Sequence, residues 1–79
     1  MTHEPLNDRQ RAVLRRIALG ESNEEIGRHM VYATSSINSL VMTLLDRLGA
    51  RNRAEAVYLG ILYGEITVPI EEAPDEPGA

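Results

Sequence analysis

The sequence of 79 residues contains no cysteine, no tryptophan, no phenylalanine and no lysine. Without cysteine the chain forms neither a disulfide bond nor a thiolate metal site, which predicts a reducing, cytoplasmic setting. No apolar stretch approaches the roughly 18 residues that a membrane-spanning helix requires, so we expect no membrane partner. The start of the chain, Met1 to Pro5, lacks the basic and then apolar pattern of a signal peptide. The length allows one small domain at most.

Groups suited to catalysis are also scarce. The two histidines, His3 and His29, stand alone in the sequence. The chain has no carboxylate pair, no nucleophile motif and no glycine-rich phosphate loop. A metal site would need ligands that are missing. We therefore expect no enzymatic activity, no cofactor and no small-molecule substrate.

The net charge of −4 is spread unevenly along the chain. Five of the twelve acidic residues and none of the eight arginines follow residue 60, so seven acids and eight arginines give residues 1–60 a net charge of about +1. That part of the chain is thus almost neutral. Residues 71–79 hold four acids and two prolines, a composition that predicts an acidic disordered tail.

The rest of the sequence predicts four α-helices. Three begin at capping boxes, in which a small polar residue is followed three positions later by Glu or Gln: Asn7 with Gln10, Ser22 with Glu25, and Asn52 with Glu55. Glycines end three of the helices, at Gly20, Gly49 and Gly64. The short second helix carries Gly27 in its middle, which costs roughly 1 kcal/mol relative to alanine. This indicates that another helix crosses close by; the alternative is a tolerated glycine on a surface helix.

The longest predicted helix runs from Thr34 to Gly49. Its apolar residues recur at three- and four-residue spacing and predict one buried stripe: Ile37, Val41, Leu44, Leu45 and Leu48. Its other face carries Met42 among mostly small polar residues: Ser35, Ser36, Asn38, Ser39, Met42, Thr43 and Asp46. Leu40 is spaced to join the stripe, so we expect it in the core. A short helix followed across about three residues by a longer one with a polar face is typical of a helix-turn-helix, whose second helix enters the DNA major groove.

A series of motifs spans the chain: Leu6-Asn-Asp-Arg9-Gln-Arg11-Ala-Val13-Leu14, Ile17-Ala-Leu-Gly20, Ser22-Asn23-Glu-Glu25-Ile26, Ser36-Ile37, Leu48-Gly49, Arg51-Asn-Arg53 and Ala56-Val57. From about Leu6 to Gly64 these motifs resemble, without a gap, the DNA-binding domain of the LuxR/GerE family. The resemblance implies an all-α, four-helix domain whose third helix reads DNA and whose fourth often forms a two-fold dimer. Family members usually carry a receiver or ligand-binding domain ahead of this module, and here we expect a stand-alone module.

The third helix departs from the family pattern. Where the family typically has a lysine, a histidine and a further basic or polar residue, this sequence has Asn38, Leu40 and Met42. Ala33 replaces the usual capping serine, so we expect Thr34 to take over the cap. Because phosphate neutralisation supplies most non-specific affinity, with a salt slope of about −0.9 per contact, the missing cations predict weakened DNA binding.

The polar face and the resemblance give three sets of expected contact residues. Base contacts are assigned to Asn38, which can pair with an adenine edge, and to Ser39 and Met42. Contacts with the DNA backbone are assigned to hydroxyl groups and arginines: Ser35, Ser36, Thr43, Arg28, Arg47, Arg51 and Arg53. A homodimer seam is assigned to four bulky residues of the last helix: Tyr58, Leu59, Leu62 and Tyr63. The same helix is expected to face the core with Ala56, Val57, Gly60 and Ile61.

These features divide the chain into a flexible lead-in (1–5), a LuxR-type helix-turn-helix domain (6–64), and an extended segment with an acidic disordered tail (65–79). The first hypothesis is a small transcriptional regulator that binds double-stranded DNA as a homodimer. The alternative is a protein-interaction module that keeps the fold, has lost DNA binding and engages another protein through Leu40 and Met42 or through the last helix. Two further alternatives stay open. Arg51 and Arg53 either approach the DNA backbone or tie loops together, and the tail either raises solubility or competes with DNA for the arginines.

Overall fold

Four α-helices form the fold in the computed structural model, which describes residues 3–70. They are α1 (Asp8–Ala18), α2 (Asn23–Met30), α3 (Thr34–Leu48) and α4 (Arg53–Leu62). No strand occurs within the described range. The predicted all-α, four-helix architecture is therefore confirmed. The predicted disordered tail, residues 71–79, lies outside the described residues.

The first two helices begin at the predicted capping boxes. Asn7 Oδ1 accepts a hydrogen bond from the backbone N–H of Gln10 at 2.8 Å, and Gln10 Oε1 accepts one from the N–H of Asn7 at 2.9 Å. Ser22 and Glu25 repeat this arrangement at 3.1 and 2.8 Å. Each box satisfies N–H groups that the first helical turn leaves without a partner, which fixes where α1 and α2 begin.

The starts of α3 and α4 differ from the prediction. Asn52 Oδ1 accepts from the N–H of Glu55 at 2.8 Å, but the Glu55 carboxylate accepts from the backbone N–H of Arg51 at 2.7 Å, so the third capping box is only half formed. The N-cap residue of α3 is Ala33, and no side chain caps this helix. The prediction that Thr34 takes over the cap is wrong, because a capping side chain must precede the first helical residue and Thr34 is that residue.

Helix α3 packs against each of the other three helices, as α1 also does. Its buried residues are Ile37, Val41, Leu44 and Leu48, as the apolar stripe predicts. The core also takes residues from the other helices and from both flanking segments: Leu6, Val13, Leu14, Ile17, Ile26, Ala56 and Ile66. Leu45 and Leu40 are only partly buried and pack against this core. Full burial of one such aliphatic side chain contributes roughly 1.5–3 kcal/mol, so the shared stripe holds α3 in one rotational position.

Two helical glycines mark close approaches. A Cβ atom at Gly27 would lie 2.7 Å from the carbonyl oxygen of Tyr32, so α2 packs against the turn that follows it, whereas a crossing helix was predicted there. A Cβ atom at Gly60 of α4 would lie 2.6 Å from Leu14 Cδ2 of α1. Both distances are shorter than a real Cβ contact; the obstructing atom is a backbone oxygen at Gly27 and the end of the buried Leu14 side chain at Gly60.

Three residues, Val31 to Ala33, form the turn between α2 and α3. Val31 has a φ of 60° and donates its N–H to the carbonyl oxygen of Gly27. A left-handed conformation costs an L-residue roughly 1–2 kcal/mol, and β-branched residues adopt it rarely. The Arg9 guanidinium lies over the Tyr32 ring, 5.5 Å from its centroid. This turn sets the direction in which α3 leaves α2.

The packed unit extends beyond the predicted bounds of residues 6–64. The His3 ring stacks on Tyr63, with ring centroids 4.3 Å apart, and it hydrogen-bonds the Glu65 carboxylate. Ile66 is 3% exposed and belongs to the core. The lead-in that was expected to be flexible is therefore anchored at His3, and the segment after α4 contributes to the core because it folds back against α1 and α4.

Candidate nucleic-acid interface

Helix α3 presents an exposed, mostly polar face whose opposite side is buried. Ile37 and Val41 are buried against the core, and Met42 has 71% of its surface exposed. Residues 34–45 carry no charged side chain. The helical period therefore divides α3 into an inner face and an outer one, and the exposed residues of the outer face are Ser35, Ser36, Asn38, Ser39 and Met42.

Thr43 and Leu40 lie at the edges of this face. Thr43 Oγ1 donates to the carbonyl oxygen of Ser39 at 2.9 Å, so its one hydroxyl proton is already used within the helix. A contact in which Thr43 donates to a phosphate requires this bond to break. Leu40 is half-buried and packs against the core, so Met42 is the large apolar side chain that α3 exposes.

Asn38 is held by a side chain of α2. Asn23 Nδ2 donates to Asn38 Oδ1 at 2.7 Å. Arg53, the first residue of α4, donates from Nη1 to Asn23 Oδ1 at 2.6 Å and from Nη2 to the carbonyl oxygen of Glu21 at 2.9 Å. This row of side chains, Arg53–Asn23–Asn38, joins three helices and ends on the exposed face of α3; we call it the amide relay. Sequence reasoning did not single out Asn23, because a polar residue just after a helix cap has no distinguishing pattern until the fold places Asn38 and Arg53 beside it.

The four arginines predicted to contact the DNA backbone differ in how their guanidinium groups are engaged. Arg28 is exposed and has no salt-bridge partner within residues 3–70. The Arg51 side chain is 84% exposed and pairs with Glu55 at 3.2 Å; this hydrogen bond lowers the pKa of Glu55. Arg47 donates to a backbone carbonyl of the N-terminal segment at 3.0 Å. Arg53 is engaged in the amide relay, where it ties α4 to the loop before α2.

The Glu21 carboxylate contacts two basic side chains beside the amide relay. Its carboxylate oxygens lie 2.9 Å from Arg16 Nη1 and 3.0 Å from His29 Nδ1. Burial opposes ionisation of Glu21, but the hydrogen bonds from Arg16 and His29 lower its pKa overall. His29 therefore has a carboxylate partner that its isolated position in the sequence did not reveal. The cluster holds the loop between α1 and α2, whose backbone in turn accepts the bond from Arg53.

The four residues predicted to form a dimer seam do not share one environment. Tyr58 and Leu62 are 63% and 60% exposed, whereas Leu59 and Tyr63 are partly buried and pack against the core. Ile61, predicted to face the core, is 38% exposed. That prediction is wrong because α4 faces the core with Ala56 and Gly60, and Ile61 lies about 100° further round the helix. Tyr58, Ile61 and Leu62 follow three- and four-residue spacing and form one exposed apolar surface, the α4 patch.

The geometry defines a class of protein. A short helix and a longer one are joined by three residues, and the longer helix turns a polar face outward, which is the arrangement of a helix-turn-helix DNA-binding domain. Within residues 3–70 no helix has the length and apolarity needed to cross a bilayer. In the same range no three histidine or acidic side chains gather where they would hold a metal ion.

The chain belongs to the luxR family of bacterial regulatory proteins. Its residues 4–59 match the family model described as "Bacterial regulatory proteins, luxR family", which confirms the resemblance seen in the motifs. The chain is similar to the "Putative HTH-type transcriptional regulator YhjB" of Escherichia coli (strain K12), with 39% identity over 54 residues that cover 68% of this chain and 27% of the relative. It is also similar to the "Transcriptional regulatory protein DesR" of Bacillus subtilis (strain 168), with 30% identity over 53 residues that cover 67% of this chain and 27% of the relative. The match thus spans about a quarter of the length of these two relatives.

Proposed function

We propose that this domain regulates transcription by binding double-stranded DNA, with α3 in the major groove. The observation that carries the proposal is the outer face of α3, which is exposed and polar from Ser35 to Ser39 and backed by buried residues. A major groove about 12 Å wide admits an α-helix, and small polar side chains let its backbone approach the bases closely. Membership of the luxR family and the names of the two relatives, both called transcriptional regulators, support the proposal.

The residues of α3 divide into two groups of contacts. Asn38, Ser39 and Met42 meet base edges, where an amide or hydroxyl forms hydrogen bonds and the methionine side chain packs on a thymine methyl group. Ser35 and Ser36, in the first turn, donate to phosphate oxygens. No side chain caps α3 at Ala33, so the first N–H groups of this helix remain available to the same phosphates.

Two arginines supply the charge for phosphate contacts in this proposal. Arg28 is exposed on α2 and Arg51 is exposed just after α3, and Arg51 exchanges Glu55 for phosphate on binding. Thr43 and Arg47 contact phosphates only after releasing their intramolecular bonds. Arg53 acts on the interface indirectly, because it holds Asn23 and, through Asn23, Asn38. Each domain thus neutralises few phosphates, so a second copy of the domain matters for affinity.

The α4 patch provides a surface for a homodimer. Tyr58 and Leu62 are the most exposed large apolar residues of α4, and they stand one helical turn apart. A two-fold axis through this patch brings the same residues of both copies together, as a self-complementary interface requires. The two α3 helices then enter successive major grooves, with half-sites about 10 base pairs apart.

The alternative function, a protein-interaction module without DNA binding, is favoured by one observation. Met42 is 71% exposed on the same face as the polar residues, and a large apolar side chain there suits a protein surface as well as a thymine methyl. Leu40 supports this alternative less than its sequence position suggests, because it packs against the core.

A salt titration distinguishes the two functions. Fluorescently labelled genomic duplex fragments are titrated with the protein at about 50 and 200 mM salt, and anisotropy reports binding. A dimer with about four phosphate contacts loses about a hundredfold in affinity between these conditions. No binding at the lower concentration contradicts the proposal and leaves the protein-interaction module.

Two variants test whether DNA binds at the outer face of α3. Ser39→Glu puts a carboxylate on the outer face, and its repulsion of phosphates abolishes binding at about 50 mM salt. Thr67→Glu adds the same charge at an exposed residue after α4 and is the matched control. Equal losses for the two variants would show that net charge alone governs binding and that α3 has no special role.

A further inference from the structure

The amide relay fixes which way the side chain of Asn38 is turned. Arginine has hydrogen-bond donors and no acceptor, so the Asn23 atom that lies 2.6 Å from Arg53 Nη1 must be the carbonyl oxygen. The other end of the Asn23 amide is then its NH₂ group, which lies 2.7 Å from Asn38. An NH₂ group donates, so the Asn38 atom facing it must be Oδ1. The orientation of both amides therefore follows from the arginine at the far end.

Asn38 consequently offers different chemistry at its two ends. Its oxygen accepts the bond from Asn23, which occupies one lone pair and places the Asn23 amide against that atom. Its Nδ2 group carries two N–H donors, and neither has a partner within residues 3–70. The end of the side chain left for a ligand is thus a donor.

We propose that Asn38 reads DNA as a hydrogen-bond donor and so prefers guanine to adenine at its base position. An asparagine that recognises adenine uses its oxygen and its nitrogen together, accepting from N6 and donating to N7. Guanine instead presents two acceptors, N7 and O6, in the major groove, and these match the free N–H groups of Asn38. This inference rests on the proposed function, since it names the base that the same face of α3 selects. It replaces the adenine contact expected from the sequence.

Asn23 and Arg53 are positioning residues in this proposal, because they act on DNA only through Asn38. Arg53 is itself held by the carbonyl oxygen of Glu21, 2.9 Å from Nη2, so the relay starts from a fixed backbone point. Removing Asn23 leaves Asn38 free to turn and to offer its oxygen. The base preference then moves toward adenine.

The test is selection of bound sequences from a library of randomised duplexes at about 50 mM salt. The unaltered protein selects guanine over adenine by about tenfold at one position of each half-site. In Asn23→Ala this preference shrinks or reverses toward adenine. In Asn38→Asp the Asn23 bond survives and the free end becomes an acceptor, so the selected base becomes cytosine. Glu25→Ala is the control, since it weakens the start of α2 next to Asn23 without touching the relay, and it keeps the guanine preference.

The outcomes distinguish a failure of this inference from a failure of the proposed function. Sequence-specific binding with adenine at the Asn38 position in the unaltered protein overturns the inference and leaves the proposed function standing. Asn23→Ala that binds all sequences more weakly, with an unchanged preference, overturns the positioning role and reduces Asn23 to a structural residue. Absence of DNA binding at about 50 mM salt overturns the proposed function, and the inference with it.

A measurement on the free protein tests the relay without DNA. In amide-detected NMR, the Asn23 side-chain NH₂ group exchanges slowly with water, because one of its protons is bonded to Asn38. The slow exchange persists in Asn38→Asp and disappears in Asn38→Ala. Rapid exchange of this group in the unaltered protein contradicts the relay, whatever the selection experiment gives.

Discussion

The carbonyl oxygen of Tyr32 lies against Gly27 so closely that a Cβ atom there would be 2.7 Å away. The same glycine accepts, through its own carbonyl oxygen, the N–H groups of Val31 and Tyr32, the latter at 2.8 Å. Gly27 of α2 therefore makes both the hydrogen bonds and the close contact that hold the turn leading into α3. Because the obstructing atom belongs to the backbone, it cannot move aside by changing a side-chain rotamer.

Gly27→Ala should destabilise the domain, although alanine favours helix formation by about 1 kcal/mol. Overpacking costs typically 1–3 kcal/mol, so the expected net loss in the free energy of unfolding is about 1 kcal/mol. Urea denaturation measures the loss. Glu24→Ala, an exposed change in the same helix, serves as the control and should stay within about 0.5 kcal/mol. If the Gly27→Ala variant is more stable than the unaltered protein, the backbone of the turn at Tyr32 shifts at little cost in free energy.

Val31→Asn should stabilise the domain by roughly 0.5–1 kcal/mol. Val31 is a β-branched residue in a left-handed conformation, with a φ of 60°, and this conformation costs free energy. Because its side chain is 87% exposed, little apolar burial offsets that cost. Asparagine tolerates this conformation. A shift in the midpoint of urea denaturation reports the gain. Val68→Asn removes a comparably exposed valine that has no positive φ and should give no gain.

Acid should weaken the contact between the two ends of the domain. Burial opposes ionisation of Glu65, but hydrogen bonds from His3, Arg11 and the backbone N–H of Leu6 lower its pKa below the ordinary value of 4.5. A carboxylate whose pKa is lowered by folding stabilises the fold above its unfolded pKa, and this stabilisation is lost as the pH falls through the folded value. The loss is therefore expected below about pH 4.5.

Glu65→Gln isolates this effect. The variant should lose about 1–2 kcal/mol at pH 7, because charge-assisted hydrogen bonds to a largely buried carboxylate are replaced by neutral ones. Its free energy of unfolding should also vary less between pH 3 and pH 6 than that of the unaltered protein. Glu24→Gln, on the exposed side of α2, is the control. If both variants keep the full pH dependence, other carboxylates control acid unfolding.

Arg28→Ala should weaken binding of all DNA sequences alike. Arg28 is exposed and unpaired within the described part of the chain, so under the proposed function it contacts a phosphate. The slope of log affinity against log salt should fall by about 0.9 for each copy of the domain. Arg15→Ala, which removes an arginine of α1, should leave the slope unchanged. A changed base preference in Arg28→Ala would contradict a role limited to the backbone.

Leu62→Glu should shift the protein toward the monomer if the α4 patch forms the dimer. Leu62 is 60% exposed, so the substitution places a carboxylate in the proposed seam without disturbing the core. Sedimentation equilibrium measures the mass. Leu19→Glu alters an exposed leucine outside α4 and should leave the mass unchanged. An unchanged mass for Leu62→Glu removes the patch from the dimer proposal.

The fold was predictable where the signal is local in sequence. The capping boxes at Asn7 and Ser22 join residues three positions apart, and the stripe of α3 follows one helical period. The outer face of α3 follows from the same period. Local patterns therefore sufficed for the helices and for which side of α3 is exposed.

The contacts that complete the site were not predictable, because they join residues far apart in the chain. Arg53 meets Asn23 across 30 positions, and His3 meets Glu65 across 62. The outward position of Ile61 depends on which side of α4 packs against the core, here the side of Ala56 and Gly60, and the apolar residues all round α4 do not indicate that side. The left-handed conformation of Val31 was not predictable either, because such positions are usually marked by glycine or asparagine and valine rarely adopts them.

The stacking of His3 on Tyr63 has a practical consequence for engineering. Because His3 contacts Glu65, and Ile66 next to it still belongs to the core, polypeptide fused ahead of His3 and polypeptide continuing beyond Ile66 both start near this contact. A domain with neighbouring points of attachment can be inserted as a guest into a surface loop of another protein without stretching its host. Spacers on the two sides of such a graft can therefore have similar lengths.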